Sequence, residues 1–207
     1  MWKPALALTV LGALALTALP RADAQSSPSA YAQWSLAGTP PASTGTLAVP
    51  GTDVPATTFA TNSDSPSIPS GASAYLGSAT PFGAEFGSSQ NQPYLSVATT
   101  GLNPSTTTFT FPTPTPASGW GFAFGDIDAD SVRIEAFDAG GGALPVATLG
   151  FRSVFNYCAN VPTPCSGGPH TDVPTWDPAS STLVGSGTDT SGAAGWLCRP
   201  GRSAASG

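Results

Sequence analysis

No stretch of this 207-residue chain repeats its apolar residues with the 3.6-residue period of an amphipathic helix. What recurs is alternation, in short runs bounded by glycine and proline. Trp120, Phe122 and Phe124 alternate with Gly121 and Ala123, so three aromatic rings can share one face of an extended strand. In Thr106–Phe111, Thr107, Phe109 and Phe111 face one way and the other threonines the opposite way. Tyr31–Leu36, Thr57–Thr61, Tyr94–Thr99, Ser131–Phe137, Phe151–Tyr157 and Thr182–Val184 are further strand candidates. Asp138-Ala-Gly-Gly-Gly142 reads as a turn. Short strands at this spacing, without crossover helices, predict an all-β fold: an antiparallel β-sandwich or jelly roll. The Pro-Thr-Pro-Thr-Pro run at 112–116 reads as a stiff polyproline connection inside a single domain.

Composition tests that prediction, because Ser, Thr, Gly and Pro supply 96 of the residues and a chain so biased can stay disordered. Two features favour a packed core. Nineteen aromatic residues offer large buried areas, and charged residues are only 9% of the chain, so repulsion does not hold it open. The net charge of −6 leaves no basic patch to neutralise phosphate, which argues against nucleic acid.

The first 24 residues have the layout of a secretory signal peptide: Lys3, an apolar run from Ala5 to Leu19, and an Ala22-Asp-Ala24 cleavage site. The expected mature chain starts at Gln25, is secreted or extracellular, has no membrane span and contains no lysine. A lysine-dependent Schiff base or P-loop is thereby excluded. Residues 25–196 are expected to form one β-sandwich domain. In an oxidising compartment Cys158 and Cys165, seven positions apart, are the natural disulfide pair, and Cys198 is left over.

Candidate sites are few. Asp126, Asp128 and Asp130 alternate in Gly125-Asp-Ile-Asp-Ala-Asp-Ser131 and concentrate negative charge between two strands. Two readings stand. Either the aspartates serve a turn by bonding their own backbone, the commoner arrangement, or they ligate calcium, a hard cation that takes oxygen ligands. The run is not an EF-hand, since Ser131 and Phe137 occupy the positions that need Gly and Glu. His170 in Pro169-His-Thr-Asp172 lacks a G-x-S-x-G partner for a catalytic triad. Glu85 is the one acid in an aromatic setting, too little for a glycosidase pair. No catalytic constellation is therefore expected. Trp176, in Pro174-Thr-Trp-Asp-Pro178, is the best candidate for stacking on a sugar; core packing is the usual fate of Trp.

Several motifs together carry a resemblance. Trp120-Gly-Phe-Ala-Phe-Gly-Asp-Ile-Asp-Ala-Asp-Ser-Val132, Phe155-Asn-Tyr-Cys158 and His170-Thr-Asp-Val-Pro-Thr-Trp-Asp-Pro178 resemble a secreted β-sandwich module of actinobacterial surface proteins. Pro81-Phe-Gly-Ala-Glu-Phe-Gly-Ser-Ser89 and Gln92-Pro-Tyr-Leu95 are similar to its upstream half. The module occurs ahead of prealbumin-like or pilin-type repeats, and it brings no catalytic residues with it. The resemblance implies a non-enzymatic role in adhesion or cell-envelope interaction, with envelope or extracellular glycans or proteins as partners. A glycan-binding accessory domain or an extracellular hydrolase is the alternative. The sequence departs from the module after Trp196, where two arginines and Cys198 fall within Leu197–Gly207. The expectation is an irregular, frameshifted or truncated tail at 197–207, with the last strands of the sandwich missing.

Overall fold

The computed structural model describes residues 30–72, 74–98, 103–159, 165 and 169–199. The expected signal peptide and residues 200–207 lie outside the described residues. The fold is all-β, antiparallel and sandwich-like. Its strands are β1 (Gln33–Thr39), β2 (Ala42–Ala48), β3 (Thr57–Thr61), β4 (Ser65–Ser67), β5 (Ser96–Ala98), β6 (Thr107–Thr110), β7 (Trp120–Gly125), β8 (Ser131–Arg133), β9 (Phe151–Asn156), β10 (Thr175–Asp177), β11 (Thr182–Val184) and β12 (Ala193–Arg199). One short helix, α1 (Pro81–Phe86), lies between β4 and β5, and a 3₁₀ turn (Val146–Leu149) precedes β9. The strands form sheets of order β1-β2-β3-β6, β10-β11-β8, β7-β12-β9 and β4-β5, and every pairing is antiparallel.

The first sheet follows its alternation. Thr57, Phe59 and Thr61 are buried on β3, while Thr58 and Ala60 are exposed. Phe59 pairs with Phe109 on β6, and Trp34 from β1 meets both rings edge-on at 5.9 and 6.2 Å. Phe109 then touches Phe122 of β7 at 5.7 Å, which joins this sheet to the next. Aromatic contacts of this kind contribute about 0.5–1.5 kcal/mol each beyond the area they bury.

The β7-β12-β9 sheet is the middle of the molecule. Alternate residues of its central strand face opposite ways. Ala194, Trp196 and Cys198 pack with Phe82 and Phe155, and Trp196 stands edge-on to Phe82 at 5.5 Å. On the other face Gly195 lies under Leu183 of β11; a Cβ there would come within 2.7 Å of both Leu183 methyls. Helix α1 reaches this core because Thr80 caps it: Thr80 Oγ1 accepts the Gly83 amide at 3.0 Å, and Pro81 fills the first turn.

Two expectations are corrected. Helix α1 interrupts the expected run of strands, and its six residues are too few to display a helical period. The domain boundary after Trp196 cuts through β12. Leu197 and Cys198 are among the most buried residues, at 6% and 2% exposure, and the strand is paired on both sides by β7 and β9. Residues 197–199 thus belong to strand β12 rather than to an irregular tail. The physical reason is plain in the pattern: Ala194-Gly-Trp-Leu-Cys198 is a continuous apolar run, the signature of a strand covered on both faces.

Candidate functional site

The aspartate run leaves β7 at Gly125 and enters β8 at Ser131, as a loop pinned against the end of β12. The Ile127 amide donates to the Ala193 carbonyl at 2.9 Å. The Asp128 carbonyl accepts the Gly187 amide at 3.0 Å, and the Asp130 carbonyl accepts the Gly185 amide at 2.9 Å. Asp126 holds a left-handed backbone, φ 64°, which turns the chain inward directly after it.

The result is one deeply buried carboxylate. Asp128 is 2% exposed. Its Oδ1 accepts the Ala193 amide at 3.1 Å and lies 3.4 Å from Thr190 Oγ1. Thr190 has a single hydroxyl proton, and Asp172 Oδ1 is much nearer, at 2.7 Å. That proton goes to Asp172, leaving Asp128 with one good donor. Asp128 Oδ2 is buried with no hydrogen-bond partner. Burial, followed by the carboxyl of Asp126 beside it and the charge of Asp172, pushes the Asp128 carboxyl up to about 6, against the pull of the Ala193 amide. Asp172 moves the other way. The Thr190 hydroxyl, then its own backbone, Asp128 and Ser186, hold it below the ordinary carboxylate value.

Asn156 fixes Asp172 in place. It is 6% exposed, and its Nδ2 donates to the Asp172 carbonyl at 2.9 Å and to the Ser191 carbonyl at 3.1 Å. Its Oδ1 accepts the Cys158 amide at 2.8 Å. Gly192, at φ 87°, passes so close to Asn156 Oδ1 and Cys158 that no side chain fits there. Cys158 is fully buried and disulfide-bonded to Cys165, as expected, with Cα atoms 5.6 Å apart. Tyr94 and Tyr157 flank the cluster. Burial and the charge of Asp126 raise both phenols above their usual value, so both stay protonated and neutral.

The three aspartates therefore part company. Asp126 and Asp128 come together, and Asp172 joins them. Asp130 has an exposed side chain, and its backbone carbonyl supplies its contact with the 185–187 segment. Sequence reasoning set Asp172 beside His170 as an unsupported triad pair and did not single out Asn156 or Thr190. Asp172 is bound instead to Thr190, and the His170 amide donates to the Cys158 carbonyl at 3.2 Å. No interval in the sequence could signal a cluster assembled from positions 126–128, 156, 172 and 190.

The remaining candidates are placed as follows. Trp176 is half-buried on β10 and stacks on Phe151 at 4.6 Å and 7°, so one face of its indole is covered. Glu85 is exposed on α1. Cys198 is buried, and that burial pushes its thiol up. Among the described residues, no three or more acidic, histidine or cysteine side chains form a ready-made metal cage, and no helix is long and apolar enough to cross a membrane.

A second surface stands apart. The outer face of the first sheet reads Ser35, Thr46, Thr58, Thr110 across one row and Ala37, Thr44, Ala60, Thr108 across the next. All eight residues are exposed. They line a shallow depression with no charged side chain in it. Strand geometry spaces these side chains about 4.8 Å across the sheet and about 6.8 Å along it.

No family model matches the chain, and neither a curated protein nor a solved structure matches it.

Proposed function

We propose that the chain is a secreted or cell-surface, non-enzymatic β-sandwich module for adhesion or cell-envelope interaction, and that the outer face of the β1-β2-β3-β6 sheet makes the contact. The observation that carries this reading is the uncharged character of that face. An antiparallel sheet commonly turns one side to water, and solvated surfaces ordinarily mix both signs of charge. Here six hydroxyls and two methyl side chains form a regular, rigid grid without a single charge. Such a surface can hydrogen-bond to a flat, uncharged, hydroxyl-bearing polymer at little desolvation cost, whereas a charged face would first have to give up tightly held water. The Cys158–Cys165 disulfide supports an oxidising, extracellular setting.

The test is co-sedimentation of the purified chain with isolated cell-envelope material. The Thr58→Lys/Thr108→Lys double variant, with both changes at exposed positions, is the comparison. Binding that the double variant loses supports the reading. Equal binding by both proteins, or none by either, refutes it. Glycan-array binding that depends on Trp176 instead would favour the carbohydrate-accessory alternative.

A further inference from the structure

We infer that Asp128, flanked by Asp126 and Asp172, is the anchor of a binding site for a hard divalent cation of the calcium class. This inference stands apart from the adhesion surface and does not depend on it. The observation that points to a ligand is Asp128 Oδ2, an oxygen of a carboxylate only 2% exposed that has no hydrogen-bond partner. A buried ionised carboxylate without a partner is costly, so such groups are normally paired or coordinate a metal.

The surroundings decide what kind of ligand fits. Two more carboxylates act on Asp128: Asp172 shares the Thr190 hydroxyl with it, at 2.7 and 3.4 Å, and Asp126 lies two residues before it in the same loop. Among the described residues, no arginine forms an ion pair with these three carboxylates; Arg133 is paired with Glu135 on the exposed surface. The cluster's other polar groups are hydroxyls and backbone carbonyls: Thr190 Oγ1 and Ser186 Oγ both lie on Asp172 oxygens, and Ser186 is also 3.5 Å from the Asp128 carbonyl. This is an all-oxygen set with up to three negative charges, and it contains no imidazole or thiolate to favour zinc or copper.

Calcium accepts 6–8 oxygens in flexible geometry and tolerates water among them. A finished cage is therefore not required. The buried Oδ2 would supply the fixed ligand, and the Asp126 and Asp172 carboxylates would close on the ion by side-chain rotation. The backbone is already held on each side, by the Gly185, Gly187 and Ala193 hydrogen bonds and by Asn156. Bound in this way, the ion ties together the 126–130 loop, the irregular segment that leads into β10, and the segment leading into β12.

The experiment uses the purified chain stripped with a chelator and titrated with CaCl₂, by isothermal titration calorimetry and by thermal denaturation at pH 7.5. The expected result is saturable heat with a Kd of about 10⁻⁴–10⁻³ M, the range of extracellular modules, and a melting temperature that rises with calcium. Asp128→Asn and Asp172→Asn should each weaken binding at least tenfold, while Asp130→Asn should leave it unchanged. The Asp128→Asn protein keeps the Ala193 hydrogen bond and is expected to fold, so its loss of binding would be local. No heat and no thermal shift at 10-millimolar CaCl₂ (on the order of ten times the weakest expected Kd) would overturn the inference. So would equal binding by the Asp128→Asn protein, or loss confined to Asp130→Asn.

Discussion

Replacing Asp128 by Asn should make the metal-free protein more stable at neutral pH. The wild-type carboxyl is raised from 3.8 to about 6, by burial first and by Asp126 and Asp172 next. Its folded form therefore binds the proton more tightly than its unfolded form. The stability this confers is fully present below about pH 3.8, falls as pH rises through about 6, and is absent above that. A shift of two units corresponds to about 3 kcal/mol, because each unit is worth 1.36. Asn keeps the shape and the acceptor for the Ala193 amide, and adds an N–H that can donate to Asp126 or Asp172. It has no charge to desolvate. At pH 7.5 with chelator present, Asp128→Asn should gain about 3 kcal/mol. For a chain of this length that raises the melting temperature by ~6–12 °C, at 2–4 °C per kcal/mol. At pH 3.5 the two proteins should melt within about 1 °C of each other, since the wild-type carboxyl is then protonated in the folded state and about two-thirds protonated in the unfolded one. Urea and thermal denaturation followed by tryptophan fluorescence at both pH values measures the gap. A variant no more stable than wild type at pH 7.5, or a gap that acid does not close, would show that the carboxylate is solvated or otherwise compensated, and the reasoning would fail.

Four other outcomes follow from the packing. Trp196→Ala empties the centre of the core around Phe82 and Phe155 and should cost about 3–5 kcal/mol in urea unfolding. Gly195→Val drives a side chain into both Leu183 methyls and should abolish cooperative unfolding, seen as a flat thermal transition. Thr80→Ala removes the cap of α1 and should cost about 1 kcal/mol by denaturant midpoint, without loss of fold. Ending the chain after Trp196 deletes Leu197 and Cys198 from β12, and that chain should be recovered insoluble or unfolded by circular dichroism.

The strands that could be read in advance are those in which large apolar residues alternate with small or polar ones. The alternating runs Thr57–Thr61 and Thr182–Val184 coincide with β3 and β11 to the residue, and those at β6, β7 and β9 nearly so. The strands that escaped notice lack that contrast. Ala42–Ala48 carries only Leu47 as a large apolar residue, so no periodicity announces β2; its pairing with β1 and β3 makes it a strand. The opposite failure occurred at β12. There the run is apolar on both faces because it lies between layers, and the cationic residues just beyond it drew the boundary too early. Composition that changes abruptly along a chain marks a change in surroundings only where the flanking residues are exposed. Leu197 and Cys198 are not.

The site was legible to a lesser degree, and for a different reason. Sequence can show that Asp126, Asp128 and Asp130 lie close together, because they are close along the chain. It cannot show which of them turns inward. Both the turn reading and the calcium reading treat the three aspartates alike. The left-handed turn at Asp126 and the hydrogen bonds from Gly185 and Gly187 break that equivalence, burying Asp128 and releasing Asp130 to solvent. Asp172 takes the third place through contacts that depend on the fold as a whole. β9 must pair with β12 for Asn156 to lie across from Ala193, and Asn156 must then reach both the Asp172 and Ser191 carbonyls. The charge cluster is thus a consequence of the central sheet. A change that loosens β12 should therefore disperse the carboxylates before it disturbs the first sheet, whose aromatic core joins the rest through Phe109 and Phe122.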